Sequence, residues 1–86
     1  LTLTNLTPRE WERIERMRLS PLYVSVHATE PEVRVRLLKN PRAAQLLEQL
    51  RWFQERQLQI HAQVVVCPGI NDGAHLTQTL LDLAQF

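Results

Sequence analysis

Two periods of hydrophobic and polar residues alternate along this chain. Leu1-Thr2-Leu3-Thr4 alternates every second position and predicts the end of a strand closing at Asn5. Thr7-Pro8-Arg9-Glu10 has the spacing of a capping box with proline at the first helical position, so a helix is expected there. Trp11, Ile14 and Met17 form its expected buried stripe, and Glu12 and Arg16 are spaced to pair on the solvated side. Leu19-Ser20-Pro21 breaks the pattern. Leu22, Val24 and Val26 then alternate with Tyr23, Ser25 and His27 as a half-polar strand. Thr29 and Glu32 repeat the capping-box spacing ahead of a short helix through Val33, Leu37 and Leu38. Asn40-Pro41 caps a longer helix reaching about Gln57, with Ala43, Leu46, Leu47, Leu50 and Phe53 as its apolar stripe.

A third strand is read over Ile60 to Cys67, with Ile60, Ala62, Val64 and Val66 on one face and His61, Gln63, Val65 and Cys67 on the other. Pro68-Gly69 ends it, and Asn71 or Asp72 caps a final helix whose stripe is Leu76, Leu80, Leu83 and Ala84. The order β-α-β-α-β-α argues an α/β fold of repeated βα units with a parallel sheet. The polar faces favour a TIM-type barrel over a doubly wound sheet. Tyr23, Ser25 and His27 would line one interior with His61, Gln63 and Cys67, whereas helix cover on both faces of an open sheet selects apolar residues.

Composition narrows the setting. The chain has 86 residues, 44% hydrophobic and 22% charged, which suits one small globular unit at most. Two or three parallel strands leave exposed edges. The chain starts without Met inside an alternating pattern and stops within an amphipathic helix, so residues 1–86 read as an internal piece of one larger barrel domain, about three βα units with both ends cut. Ten basic and nine acidic residues are interspersed and sum to +1, so charge indicates neither nucleic acid nor an anionic membrane surface. No apolar run is long enough to span a bilayer, and a cytoplasmic setting is the default expectation. The single cysteine, Cys67, has no disulfide partner and builds no cysteine-rich metal site alone.

Ligands of β/α proteins bind at the carboxyl ends of the strands, which directs attention to His27, Cys67 and the loops Ala28–Pro31 and Pro68–Gly73. For His27, contact with a ligand and simple satisfaction by a backbone carbonyl are equally weighted. His61 lies at the amino end of its strand and is expected to pack or face solvent; His75, in the first turn of the last helix, is expected to face solvent or support the cap. Cys67 is read as a small buried hydrophobe rather than a nucleophile paired with His27, since no third orienting group accompanies them. The three histidines and Cys67 match no zinc spacing. Gly69 permits close backbone approach by a ligand, and the helix start beyond it offers free amides, without any glycine-rich phosphate signature.

The segments YVSVHATEPEVRVRLLKN and VVVCPGINDG, with LTLTNLT upstream, resemble the middle of a radical S-adenosylmethionine (SAM) protein, over essentially the whole chain. The likeness is greatest to a bacterial and cyanobacterial group of Fe–S oxidoreductases in which a PDZ-like segment precedes the radical SAM core and a C-terminal domain of unknown function follows it. The resemblance implies the third to fifth βα units of a partial TIM barrel, a SAM cofactor and a 4Fe–4S cluster held by Cys-x3-Cys-x2-Cys. That motif and the Gly-Gly-Glu-type segment are not in these residues, so cluster ligands would come from elsewhere. It further implies that Ser25 and His27 face the SAM ribose or the substrate, and that Gly69 and Ile70 flank adenine. No metal-ligating residue and no catalytic residue is assigned within the chain. The partners implied are the rest of the barrel, the flanking domains and a small-molecule substrate. An aldolase-type barrel would want a lysine at a strand end, and the one lysine, Lys39, falls in a helix-to-helix joint. The non-enzymatic alternative is an interaction or scaffold module using surfaces around Trp11, Trp52 and Phe53.

Overall fold

Local capping starts the first helix as the sequence predicts. In the computed structural model, which describes residues 1–86, the Thr7 hydroxyl accepts the Glu10 N–H at 3.2 Å and the Glu10 carboxylate accepts the Thr7 N–H at 3.1 Å. This opens helix α1, Pro8–Met17, which ends where Arg18 turns left-handed and the Leu19 N–H reaches back to the Ile14 carbonyl. Strand β1, Leu22–Ser25, follows, then α2, Pro31–Leu38; a 3₁₀ turn at Pro41–Gln45 leads into α3, Leu46–Glu55; strand β2, Ile60–Gln63, and α4, Ala74–Leu83, complete the chain.

The two strands form a parallel pair in the register Leu22↔Ile60, Tyr23↔His61, Val24↔Ala62 and Ser25↔Gln63. The fold is therefore α/β, with α2 and α3 in the crossover between parallel neighbours. Its core gathers Leu3, Ile14, Val24, Val26, Leu46, Leu50, Phe53 and Leu58 on one side of β1. The α3 stripe read from the sequence holds: Ala43, Leu46, Leu50 and Phe53 are buried and Leu47 is partly covered. Trp11 meets Trp52 edge-on at 4.8 Å and lies 5.5 Å from Phe53, while the Arg56 guanidinium sits 4.2 Å over the Trp52 ring. No helix is long and apolar enough to cross a membrane.

Several sequence expectations are corrected. Leu1–Thr4 is not a strand: Leu1 bridges β1 through its amino group to the Tyr23 carbonyl and through its own carbonyl to the Ser25 N–H, and Leu3 then turns the chain at φ 62°. Met17 is exposed, and Glu15 rather than Glu12 forms the ion pair of α1, reaching Arg56 at 2.7 Å. Thr29 does not cap α2; Glu30 holds that position without a side-chain bond, because the Thr29 hydroxyl instead donates to Asp82 at 2.6 Å. The α3 helix ends at Glu55, two residues short of Gln57. In α4, Leu80 is exposed while Thr79 is buried, so the helix docks on a partly polar stripe.

Candidate functional site

The carboxyl ends of β1 and β2 are fastened to each other by polar side chains rather than by further ladder. The Gln63 carbonyl accepts both the Val26 N–H at 2.9 Å and the His27 N–H at 3.1 Å, and regular pairing stops there. The strand read as far as Cys67 therefore ends at Gln63. His27 and Asn71 take over the backbone groups that a longer ladder would have used. His27 Nδ1 accepts the Val65 N–H at 3.0 Å. Asn71, fully buried, accepts the Cys67 N–H on Oδ1 at 2.6 Å and donates from Nδ2 to the carbonyls of His27 at 2.8 Å and Val65 at 3.0 Å. Asn71 is thus a clamp between loops, not a helix cap; Gly73, at φ 57°, occupies the cap position of α4 without a side-chain bond.

Arg34 holds the same region from beneath. Its side chain is fully buried, and Nε donates to Val26 at 3.1 Å, Nη1 to Ala43 at 3.0 Å, and Nη2 to Thr2 at 2.6 Å and Ser25 at 2.9 Å. All four acceptors are backbone carbonyls, so the charge is stabilised by peptide dipoles without a carboxylate. Burial pulls the guanidinium down to about 10, which leaves it charged at neutral pH. Burial also lowers the His27 imidazole below its ordinary 6.5, and the Arg34 charge adds to that effect.

The predicted site residues separate into two groups. Ser25 is half-buried and lines a depression of about 610 Å³ with Leu1, Tyr23, His61 and Gln63, on the polar side of the sheet. Tyr23 and His61 stack across the strands there with ring centroids 4.9 Å apart. His27 leaves that face. With φ 61° it turns out of the strand line and joins the Val65–Asn71 loop, which also carries Gly69 and Ile70. Gly69 has φ 80° with open space where a Cβ would stand, and the Ile70 and Asn71 N–H groups both point to the Cys67 carbonyl in a tight turn. Three of the four residues therefore belong to one bonded loop assembly, and Ser25 adjoins it through its carbonyl on Arg34.

The remaining candidates are placed differently from expectation or add little chemistry. Cys67 is half-buried, and its thiol approaches the Val65 carbonyl at 3.9 Å. His61 is exposed at the start of β2. His75 does not simply face solvent: Nδ1 lies 2.8 Å from the Glu30 carboxylate, tying α4 to the start of α2 beside the Thr29 bonds to Thr79 and Asp82. No three His, Cys, Asp or Glu side chains come together as a metal-binding group. Arg34 and Asn71 carry the most hydrogen bonds at this end of the sheet, and neither is marked by hydrophobic periodicity; the only sequence signal for Asn71 was the Asn-Asp-Gly turn, which reads equally as a cap.

The family model described as a radical SAM-like domain matches residues 1–86. No curated protein and no solved structure matches the chain.

Proposed function

This chain belongs to the radical SAM-like domain family, and on that premise we propose that it forms part of the wall of a SAM- and substrate-binding cavity in a radical SAM-type Fe–S oxidoreductase. In this reading its βα units are adjacent staves of a partial TIM-type barrel, and residues 1–86 are an internal part of that one domain. The family implies SAM and a 4Fe–4S cluster. One cysteine and no three-residue ligand group do not fit the cluster, so its ligands belong to other units of the barrel. SAM fits better in kind: an unbonded Ser25 hydroxyl, a histidine ring edge and a glycine turn stand near the carboxyl ends of two parallel strands, where β/α folds bind ligands. SAM supplies the precursor of the radical when bound, and the chain's own groups orient it. Ser25 and His27 contact the ribose or substrate, and Gly69 and Ile70 flank the adenine. The rest of the barrel, a PDZ-like segment before it, a C-terminal domain after it and a small-molecule substrate are the partners of this reading.

The observation that supports it most directly is the fastening of the two carboxyl-end loops by His27 and Asn71, since a cavity wall must hold neighbouring loops in one geometry. The test is a titration of the ¹⁵N-labelled chain with SAM, followed by amide shifts. Shifts centred on Ser25, His27, Gly69 and Ile70 are the expected outcome. Shifts confined to Tyr23 and His61, or none at millimolar SAM, overturn the site. The scaffold-module alternative uses surfaces around Trp11, Trp52 and Phe53, but Phe53 is buried, Trp11 and Trp52 partly cover one another and Arg56 lies over Trp52; the exposed aromatics, Tyr23 and Phe86, lie outside that cluster.

A further inference from the structure

We infer that His27 meets its ligand as a hydrogen-bond donor only, through Nε2–H, and that Arg34 is the positioning residue that sets it so; this rests on the cavity-wall reading above. The two ring nitrogens are already distinguished by what bonds to them. A nitrogen that accepts a backbone N–H carries no proton of its own, and Nδ1 accepts the Val65 N–H at 3.0 Å. In the neutral ring the proton then resides on Nε2. No other bond to the ring competes for that proton: the remaining bonds of His27 run through its backbone N–H to Gln63 and its carbonyl to Asn71. The ring edge that is left is a single donor, suited to a hydroxyl, carboxylate or other oxygen acceptor and unsuited to an ammonium group.

The ring is held in that pose by its backbone. His27 adopts the left-handed conformation at φ 61°, uncommon for a residue other than glycine, and here hydrogen bonds hold the backbone on both sides of it. Arg34 supplies the fixing on one side by gripping the carbonyls of Ser25 and Val26, the two residues before it, and Asn71 grips the His27 carbonyl on the other. A lysine in place of Arg34 has one compact ammonium group and cannot span carbonyls contributed by Thr2, Ser25, Val26 and Ala43 together. Burial of the ring first, and the charged guanidinium second, favour the neutral form that the acceptor role requires.

Long-range ¹⁵N–¹H correlation of the His27 ring in the ligand-free chain at neutral pH tests the orientation without any variant. The expected spectrum shows protonated Nε2 and unprotonated Nδ1; the opposite tautomer, or an exchange-averaged mixture, overturns the inference. In Arg34→Lys the ring is expected to average between tautomers and Val65 amide exchange to rise about tenfold, with α3 core amides still protected. An unchanged ring spectrum in a folded Arg34→Lys chain removes Arg34 from the role. Two isosteric changes then separate the nitrogens, since an Asn amide places its oxygen near Nδ1 and a Gln amide places its nitrogen near Nε2. His27→Asn is expected to keep Val65 protection and weaken SAM about tenfold, and His27→Gln to do the reverse. Equal effects of both changes overturn the donor assignment. Failure of the unsubstituted chain to bind SAM overturns the donor role toward SAM along with the cavity-wall reading, whereas a wrong tautomer overturns the inference alone.

Discussion

Strands β1 and β2 have the same length and pair residue for residue, yet β1 sends a side chain into the core at its centre and β2 touches the core only at its first residue, Ile60. Val24 of β1 is 1% exposed, and Val26 beyond it is fully buried, whereas His61, Ala62 and Gln63 of β2 are all exposed. Apolar packing fixes β1. At the carboxyl end of β2 the same task falls to hydrogen bonds from His27 and Asn71, which replace the ladder and the core that Val64, Val65 and Val66 do not find. A β-branched run therefore does not by itself make a strand; a strand needs a partner for its backbone groups, and here side chains claim those groups first.

The comparison breaks most readily at Arg34. Arg34→Met removes the guanidinium donors from four carbonyls, of which that of Val26 keeps another bond, to the Ala28 N–H at 2.7 Å, and is expected to cost about 3 kcal/mol in urea unfolding; a loss below about 1 kcal/mol would show that packing alone holds this side. Asn71→Ala removes the clamp on the β2 side. It leaves the Cys67 N–H and the carbonyls of His27 and Val65 without their partner, for an expected loss of about 2 kcal/mol, with faster amide exchange at 65–71 and little change in α1 or α3. Uniformly faster exchange across the chain would mean that the two regions unfold as one.

Acid sharpens the same contrast. His27 is lowered in the folded chain below its ordinary 6.5, by burial first and by Arg34 second, so the fold prefers the neutral ring. Its contribution is fully present above 6.5 and is lost as pH falls through the folded-state value. Urea midpoints are expected to decline below pH 6.5 with loss of Val65 protection, and His27→Asn to flatten that decline. The smallest effect is expected at the exposed end of β2, where His61→Ala removes only the stack on Tyr23 and changes stability by about 0.5 kcal/mol or less.

Legibility in the sequence followed the range of each interaction. The Thr7–Glu10 box and the Leu46, Leu50 and Phe53 stripe were readable because their partners recur within one or two helical turns. The parity of β1 was readable for the same reason. Arg34 was not, because a charged residue in a short helix looks solvated until carbonyls from Thr2, Ser25, Val26 and Ala43 are brought around it. Thr29 and Asn71 misled in a shared way: each has the side chain of a helix cap, and each spends it on a distant segment, Asp82 for Thr29 and His27 for Asn71. Of the site residues, His27 is legible from its place at a strand end, but its engaged nitrogen depends on Val65, 38 residues away.

The grip of Arg34 on main-chain oxygens also has an evolutionary corollary. Every amino acid offers the same carbonyl, so positions 2, 25, 26 and 43 can change identity without disturbing the guanidinium, provided that the chain follows the same path. Related sequences should then keep an arginine at this point with no compensating partner that varies alongside it. What they should not tolerate is a one-residue insertion or deletion between 25 and 43, which would move the acceptors rather than rename them.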